Sequence, residues 1–133
     1  MEEVEVTQMA SFRHVDEENQ RAVALTKAAI ECTRRLGMSP AESASALGVH
    51  AGVLAAMRKG QRVVDGYNGE AETADALVRV IKRLSALLGG EETKWRSWLR
   101  REDPSLGARP LDVILRRHGA ETVASYLEHA AQI

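Results

Sequence analysis

The sequence predicts an all-α protein, and three observations carry that expectation. Aliphatic residues and Ala dominate a hydrophobic content of 44%, while aromatic residues make up only 4%, a balance that favours helices over strands. Apolar residues recur at three- and four-residue spacings, and no segment alternates with a period of two. Gly, Pro and Ser punctuate the chain where such periodic stretches begin and end. With 133 residues there is room for two small helical modules, and the chain is short for most enzyme folds.

The formal net charge of −1 conceals an uneven distribution. Residues 1–20 hold one Arg against six acidic residues, residues 21–64 hold seven Lys or Arg against two acidic residues, and the remainder is nearly balanced. A basic block in an otherwise neutral chain suits a polyanionic partner for that block alone. The opening MEEVEVTQMASF lacks the basic and apolar stretches of a secretory signal, and no later run reaches membrane-spanning length, which points to the cytoplasm. The single Cys32 falls on an apolar helix position, as a buried and inert thiol would.

Residues 1–18 show no period and are expected to form a loosely ordered acidic arm. From Asn19 to Leu36, the spacing of Leu25, Ala29, Cys32 and Leu36 predicts a helix that Gly37 ends. Ser39-Pro40-Ala41-Glu42 reads as a capping box with Pro in the first turn, so a short helix runs from there to Leu47. Gly48 supplies a left-handed residue for a tight turn. A second short helix follows from His50 to Arg58, stopped by Lys59-Gly60.

After a loop over Asp65–Gly69, a longer helix is expected from Glu70 to Leu88. Ala71, Ala74, Leu77, Val78, Ile81, Leu84 and Leu88 form one apolar face; Ala76, Val80 and Leu87 widen it, leaving a polar stripe of Glu72, Asp75, Arg79 and Lys82. Such a helix needs cover on more than one side, as a link between modules, as a homodimer interface, or by simple core packing. Gly89-Gly90 marks the internal boundary. The expected organisation is an arm over 1–18, a helix-turn-helix domain over 19–69, a linking or dimerisation helix over 70–90 and a C-terminal module over 91–133.

That module opens with a short helix carrying Trp95, Trp98 and Leu99. Pro104 and Pro110 forbid one continuous helix, so WLRREDPSLGARPLD must turn a compact corner before a last helix, Glu121 to Ile133. Asp112 is expected to cap the helix that Pro110 opens.

Two resemblances follow from these residues. Ala44, then Gly48, then Leu54 and Met57, with Leu47 and Val49 flanking the turn, resemble the helix-turn-helix of Xre-type regulators; two short helices packed without a DNA role are the alternative. Trp98, Leu99, Pro104, Leu106, Gly107, Pro110, Leu111, Asp112, Gly119 and Leu127 resemble the C-terminal toxin-binding domain of the Xre/MbcA/ParS antitoxins. Together the resemblances cover residues 22–133. They imply an antitoxin that covers the active-site cleft of a cognate toxin, commonly a RES-domain enzyme that consumes NAD or transfers from it. They also imply autoregulatory DNA binding by the N-terminal module and a homodimer or higher assembly through the N-terminal half and the long helix. The alternative is a stand-alone transcriptional regulator with a C-terminal protein- or ligand-binding module.

Most of the quoted C-terminal positions read as that module's own core. Toxin contacts are sought instead among Arg100, Arg101, Arg109, Arg116 and Arg117, since Arg is a common interface anchor, with solvated surface as the alternative. The last helix, with Glu128, His129 and the Ile133 carboxylate, is expected to occupy the toxin's pyrophosphate-binding groups. For DNA, the groove-facing positions are His50, Ala51, Gly52, Ala55 and Ala56, a poor set for bidentate base contacts; Arg58, Lys59 and Arg62 suit phosphates. Neither a cofactor nor catalysis is expected. His14, His50, His118 and His129 sit on four separate elements, with no Cys pair and no phosphate-cradling loop.

Overall fold

A computed structural model describes residues 2–133, with side chains from residue 17 onward and only the helical course of the backbone before it. Seven helices form among these residues: α1 (Glu2–Arg35), α2 (Pro40–Leu47), α3 (Ala51–Arg58), α4 (Glu70–Leu88), α5 (Glu92–Arg100), α6 (Pro110–Ile114) and α7 (Gly119–His129). The fold is all-α; the β pairing among the described residues is an isolated antiparallel bridge between Asp103 and Ala108.

α1 begins well before the expected Asn19. The loose acidic arm expected over 1–18 lies, up to residue 16, outside the residues whose side chains are described; Glu17 and Glu18 are helical and exposed. Along the rest of α1 the apolar stripe turns inward, with Ala29, Cys32 and Leu36 buried and Leu25 packed at the edge of the core. Burial pushes the Cys32 thiol up to about 11, so it is protonated and unreactive at neutral pH.

The capping box forms in both directions. The Ser39 hydroxyl accepts from the Glu42 amide at 3.1 Å, and the Glu42 carboxylate accepts from the Ser39 amide at 2.9 Å. Gly48 ends α2 in the left-handed region at φ 71°. Ala44, Leu47, Leu54 and Met57 are buried, so α2 and α3 cross through the small and aliphatic residues whose spacing suggested it. The segment after α3 is pinned to α1 by Thr26, whose buried hydroxyl accepts from the Val64 amide at 2.9 Å.

α4 is the shared wall of the molecule. Ala74, Ala76, Leu77, Val80, Ile81 and Leu84 are buried on it, with α1 against one side and α7 against another. The wide apolar face is therefore covered from within one chain, and the core is continuous from Ala29 to Leu127. Gly89 makes the turn out of α4, where its carbonyl accepts from the Trp95 indole at 2.8 Å.

A seam of basic side chains joins α5 to the end of α1. Arg96 donates to the Arg35 carbonyl at 2.9 Å and Arg100 to the Gly37 carbonyl at 3.2 Å, satisfying carbonyls that a helix end leaves without partners. Arg35 in turn donates to Glu92 at 2.7 Å and lies over the Trp95 ring, 4.8 Å from its centre. The last helix stops at His129, short of the expected Ile133. Arg83 of α4 caps it, donating to the carbonyls of Leu127 at 3.1 Å and Ala130 at 3.3 Å.

Candidate functional site

The corner between α5 and α6 is organised by one carboxylate. Asp103 is buried, and its Oδ1 accepts from the amides of Ser105 at 2.9 Å and Leu106 at 3.1 Å and from the Tyr126 hydroxyl at 2.9 Å. Its Oδ2 accepts from the Trp98 indole at 3.2 Å. The backbone closes the same loop: the Asp103 amide donates to the Ala108 carbonyl at 3.0 Å and the Gly107 amide to the Asp103 carbonyl at 2.8 Å, with Gly107 at φ 76°. Burial by itself would raise the Asp103 pKa, but the donors around it outweigh burial and hold the group below its ordinary value. One side chain thus ties α5, the proline-bounded loop and α7 together. The Asp103-Pro104 pair marks a turn in the sequence, and Asp-Pro-Ser is an Asx-turn signal; the carboxylate's further role as acceptor for Trp98 and Tyr126 depends on the fold and is not legible there.

α6 and α7 meet at closer quarters still. A Cβ built on Gly119 would lie 1.6 Å from the Val113 carbonyl oxygen, so only glycine permits this approach. Trp98, Leu99, Pro110, Leu111, Gly119 and Leu127 are all buried, and Leu106 packs against the core at its margin. Asp112 does not cap α6. The N-cap is Arg109, without a side-chain cap bond, and the Asp112 carboxylate instead receives the Arg109 guanidinium at 3.0 and 2.8 Å. Asp112 sits in the third helical position, where the neighbouring guanidinium on the exposed surface is the nearer donor.

The proposed contact residues divide in two. Arg100 donates to Glu42 at 3.1 Å as well as to the Gly37 carbonyl, and Arg109 is paired with Asp112. Glu128 is held by the Arg79 guanidinium of α4, and the His129 ring lies 2.7 Å from the Ser125 carbonyl. Ile133 packs against the core edge. Arg101, Arg116 and Arg117, by contrast, are exposed, and their guanidinium groups make no hydrogen bond or ion pair among the described residues. Arg116, Arg117 and His118 line a cleft whose opposite walls are Ser45–Gly48 and Asn68–Glu70 with Thr73.

That cleft brings the C-terminal basic residues beside the α2–α3 turn. His50, Ala51, Gly52, Ala55, Arg58 and Lys59 are exposed on α3 and its flanks. Arg62 is not available for a phosphate, because its guanidinium donates to both oxygens of Glu70, at 2.7 and 2.9 Å. Glu70 is nearly buried at the start of α4 and also accepts from the Asp65 amide and the Asn68 side chain, each at 2.9 Å. A carboxylate with that degree of burial requires compensating donors, and Arg62 is the charged one. Among the described residues no cluster of His, Cys, Asp and Glu could hold a metal ion, and no helix is long and apolar enough to cross a membrane.

No curated protein matches the chain significantly. Residues 83–131 do match the family model of the antitoxin Xre/MbcA/ParS C-terminal toxin-binding domain. The match begins at Arg83, the residue that caps α7 from α4, and takes in all of α5, α6 and α7. That family binds proteins and is not a family of enzymes, so the C-terminal segment is similar to the toxin-binding domain of an antitoxin, with a cognate toxin as the partner it indicates.

Proposed function

We propose that the chain is an antitoxin whose α5–α7 module covers the active-site cleft of a RES-domain toxin that consumes or transfers from NAD, and whose α2–α3 pair binds operator DNA. The observation that carries this reading is the match of residues 83–131 to an antitoxin toxin-binding domain; the choice of toxin class and the steric mechanism rest on the resemblance of the wider chain. Arg101, Arg116 and Arg117 are the favoured contacts. An acidic toxin surface can engage them without first breaking an internal ion pair, whereas Arg100 and Arg109 would have to give up Glu42 and Asp112. The end of α7 and residues 130–133 supply the part that enters the toxin's cleft, with Ile133 leaving the core edge on binding; Glu128, tied to Arg79, contributes to holding α7 in place.

For DNA, the exposed face of α3 offers Ala methyls for thymine contacts and the His50 ring as a polar group, with Arg58 and Lys59 for phosphates. Sequence preference would come from the spacing of paired modules and from DNA shape. Co-expression with the product of the adjacent gene tests the whole reading. Growth arrest should be relieved by the native chain and by Arg100→Ala, and neutralisation should fall at least about tenfold, roughly 1.4 kcal/mol, for Arg116→Glu/Arg117→Glu. Full neutralisation by the double reversal would remove these arginines from the interface. An adjacent product that neither arrests growth nor binds would favour the stand-alone regulator.

A further inference from the structure

The loop between α3 and α4 carries a chemically labile pair. Asn68 is followed by Gly69, and of the chain's two Asn residues this is the one that precedes glycine. The side-chain amide of an Asn can be attacked by the backbone nitrogen of the next residue, because closing the two on each other makes an unstrained five-membered ring. Glycine favours the attack, since no Cβ shields its nitrogen. Asn19, by comparison, lies inside α1 and precedes Gln20.

The fold favours that reaction at several points. Asn68 is exposed, and the Gly69 amide donates no hydrogen bond among the described residues, so a solvent base can take its proton. The Asn68 Oδ1 accepts from the Glu70 amide at 3.1 Å. That N–H sits on the oxygen where negative charge develops as the nitrogen adds. The Gly69 carbonyl accepts from the Thr73 amide at 3.1 Å and the Thr73 hydroxyl at 3.0 Å, so both reacting partners are anchored to the first turn of α4.

We propose that Asn68 is a site of spontaneous modification, at which the Gly69 nitrogen displaces ammonia and water then leaves an acid facing Glu70. The Gly69 nitrogen gives its proton to a solvent base and bonds to Asn68 Cγ. The Cγ–Nδ2 bond breaks, and Nδ2 leaves as ammonia with a proton returned from solvent. Water opens the cyclic imide at either carbonyl, giving aspartate or, with the main chain rerouted through Cβ, isoaspartate. Nothing is oxidised or reduced: one water enters and one ammonia departs.

The consequence follows from what Nδ2 touches. It donates to Glu70 Oε2 at 2.9 Å, one of the contacts that compensate the near-burial of this carboxylate. In the product an oxygen replaces that donor. Two carboxylates then repel each other at the start of the helix against which α1 and α7 pack.

Incubation of the full chain at mildly alkaline pH in heavy-oxygen water, followed by peptide mass spectrometry, tests it. Residue 68 should become an acid carrying one heavy oxygen, while Asn19 stays an amide. Asn68→Gln, whose side chain would have to close a larger ring, should stay unchanged at that position. Asn68→Asp supplies one product from the outset. Its folding equilibrium constant, from urea unfolding, should lie about tenfold below the native value, the scale of one pKa unit of like-charge repulsion. Asn68 still intact in the folded chain, after the time in which the same chain in urea has converted, would overturn the proposal. So would equal conversion of Asn19 and Asn68, or an Asn68→Asp chain as stable as the native one.

Discussion

Two residues bear more of the C-terminal architecture than their size suggests. Gly119 lets α7 start against the backbone of Val113, so Gly119→Ala forces the two helices apart. The expected loss is about 3 kcal/mol, the upper range for overpacking a core, read from urea unfolding. Gly52→Ala is the control: it sits in α3 with nothing near its missing Cβ and should instead gain about 0.8 kcal/mol of helix propensity. Equal effects at the two sites would contradict the close approach. At Asp103, Asp103→Asn keeps the shape but replaces an acceptor of four hydrogen bonds with an amide that brings its own donors. It should cost about 1–3 kcal/mol. Because the donors hold the folded carboxylate below its ordinary pKa, its contribution is fully present above the unfolded value of about 3.9 and is lost as pH falls through the lower folded value. The stability difference between native protein and Asp103→Asn should therefore shrink in strong acid, followed by the combined fluorescence of the buried Trp95 and Trp98; a difference constant down to low pH would assign the effect to packing alone.

Whole elements show what a sequence exposes and what it hides. The capping box at Ser39–Glu42, the left-handed Gly48, and the span of α4 could all be read directly, because each depends on residues within a few positions of one another. Helix ends set by distant partners could not. α7 stops at His129 because Arg83, more than forty positions earlier, satisfies its last carbonyls, and nothing near Ile133 signals that. Asp112 was legible as a helix N-terminal acid but not as the partner of Arg109, since both roles are compatible with its position in the first turn. Arg62 and Glu70 stand eight residues apart in a loop and a helix start; only the fold turns them into a bidentate pair, which is why a phosphate role suggested itself for Arg62 from charge alone. α1 likewise extends beyond the stripe of Leu25, Ala29 and Cys32, since residues 17–21 are exposed and carry no inward apolar period.

Over the whole molecule, the two halves are less independent than the Gly89-Gly90 punctuation implies. Arg96 and Arg100 of α5 cap the end of α1, Arg100 also reaches the capping box of α2, and α4 backs both α1 and α7. Arg100 thus links the C-terminal module directly to the carboxylate of the α2 capping box. The basic turn of Arg116–His118 shares one cleft with the α2–α3 turn, so DNA and protein partners would meet on neighbouring surfaces. The central claim, that α5–α7 is the surface that grips a toxin, is tested most directly by hydrogen–deuterium exchange of the full chain with and without the adjacent gene's product. Protection should appear across residues 100–133, strongest around Arg101 and Arg116–Arg117. Protection confined to α2 and α3, or none at all with a partner that demonstrably binds, would contradict the account.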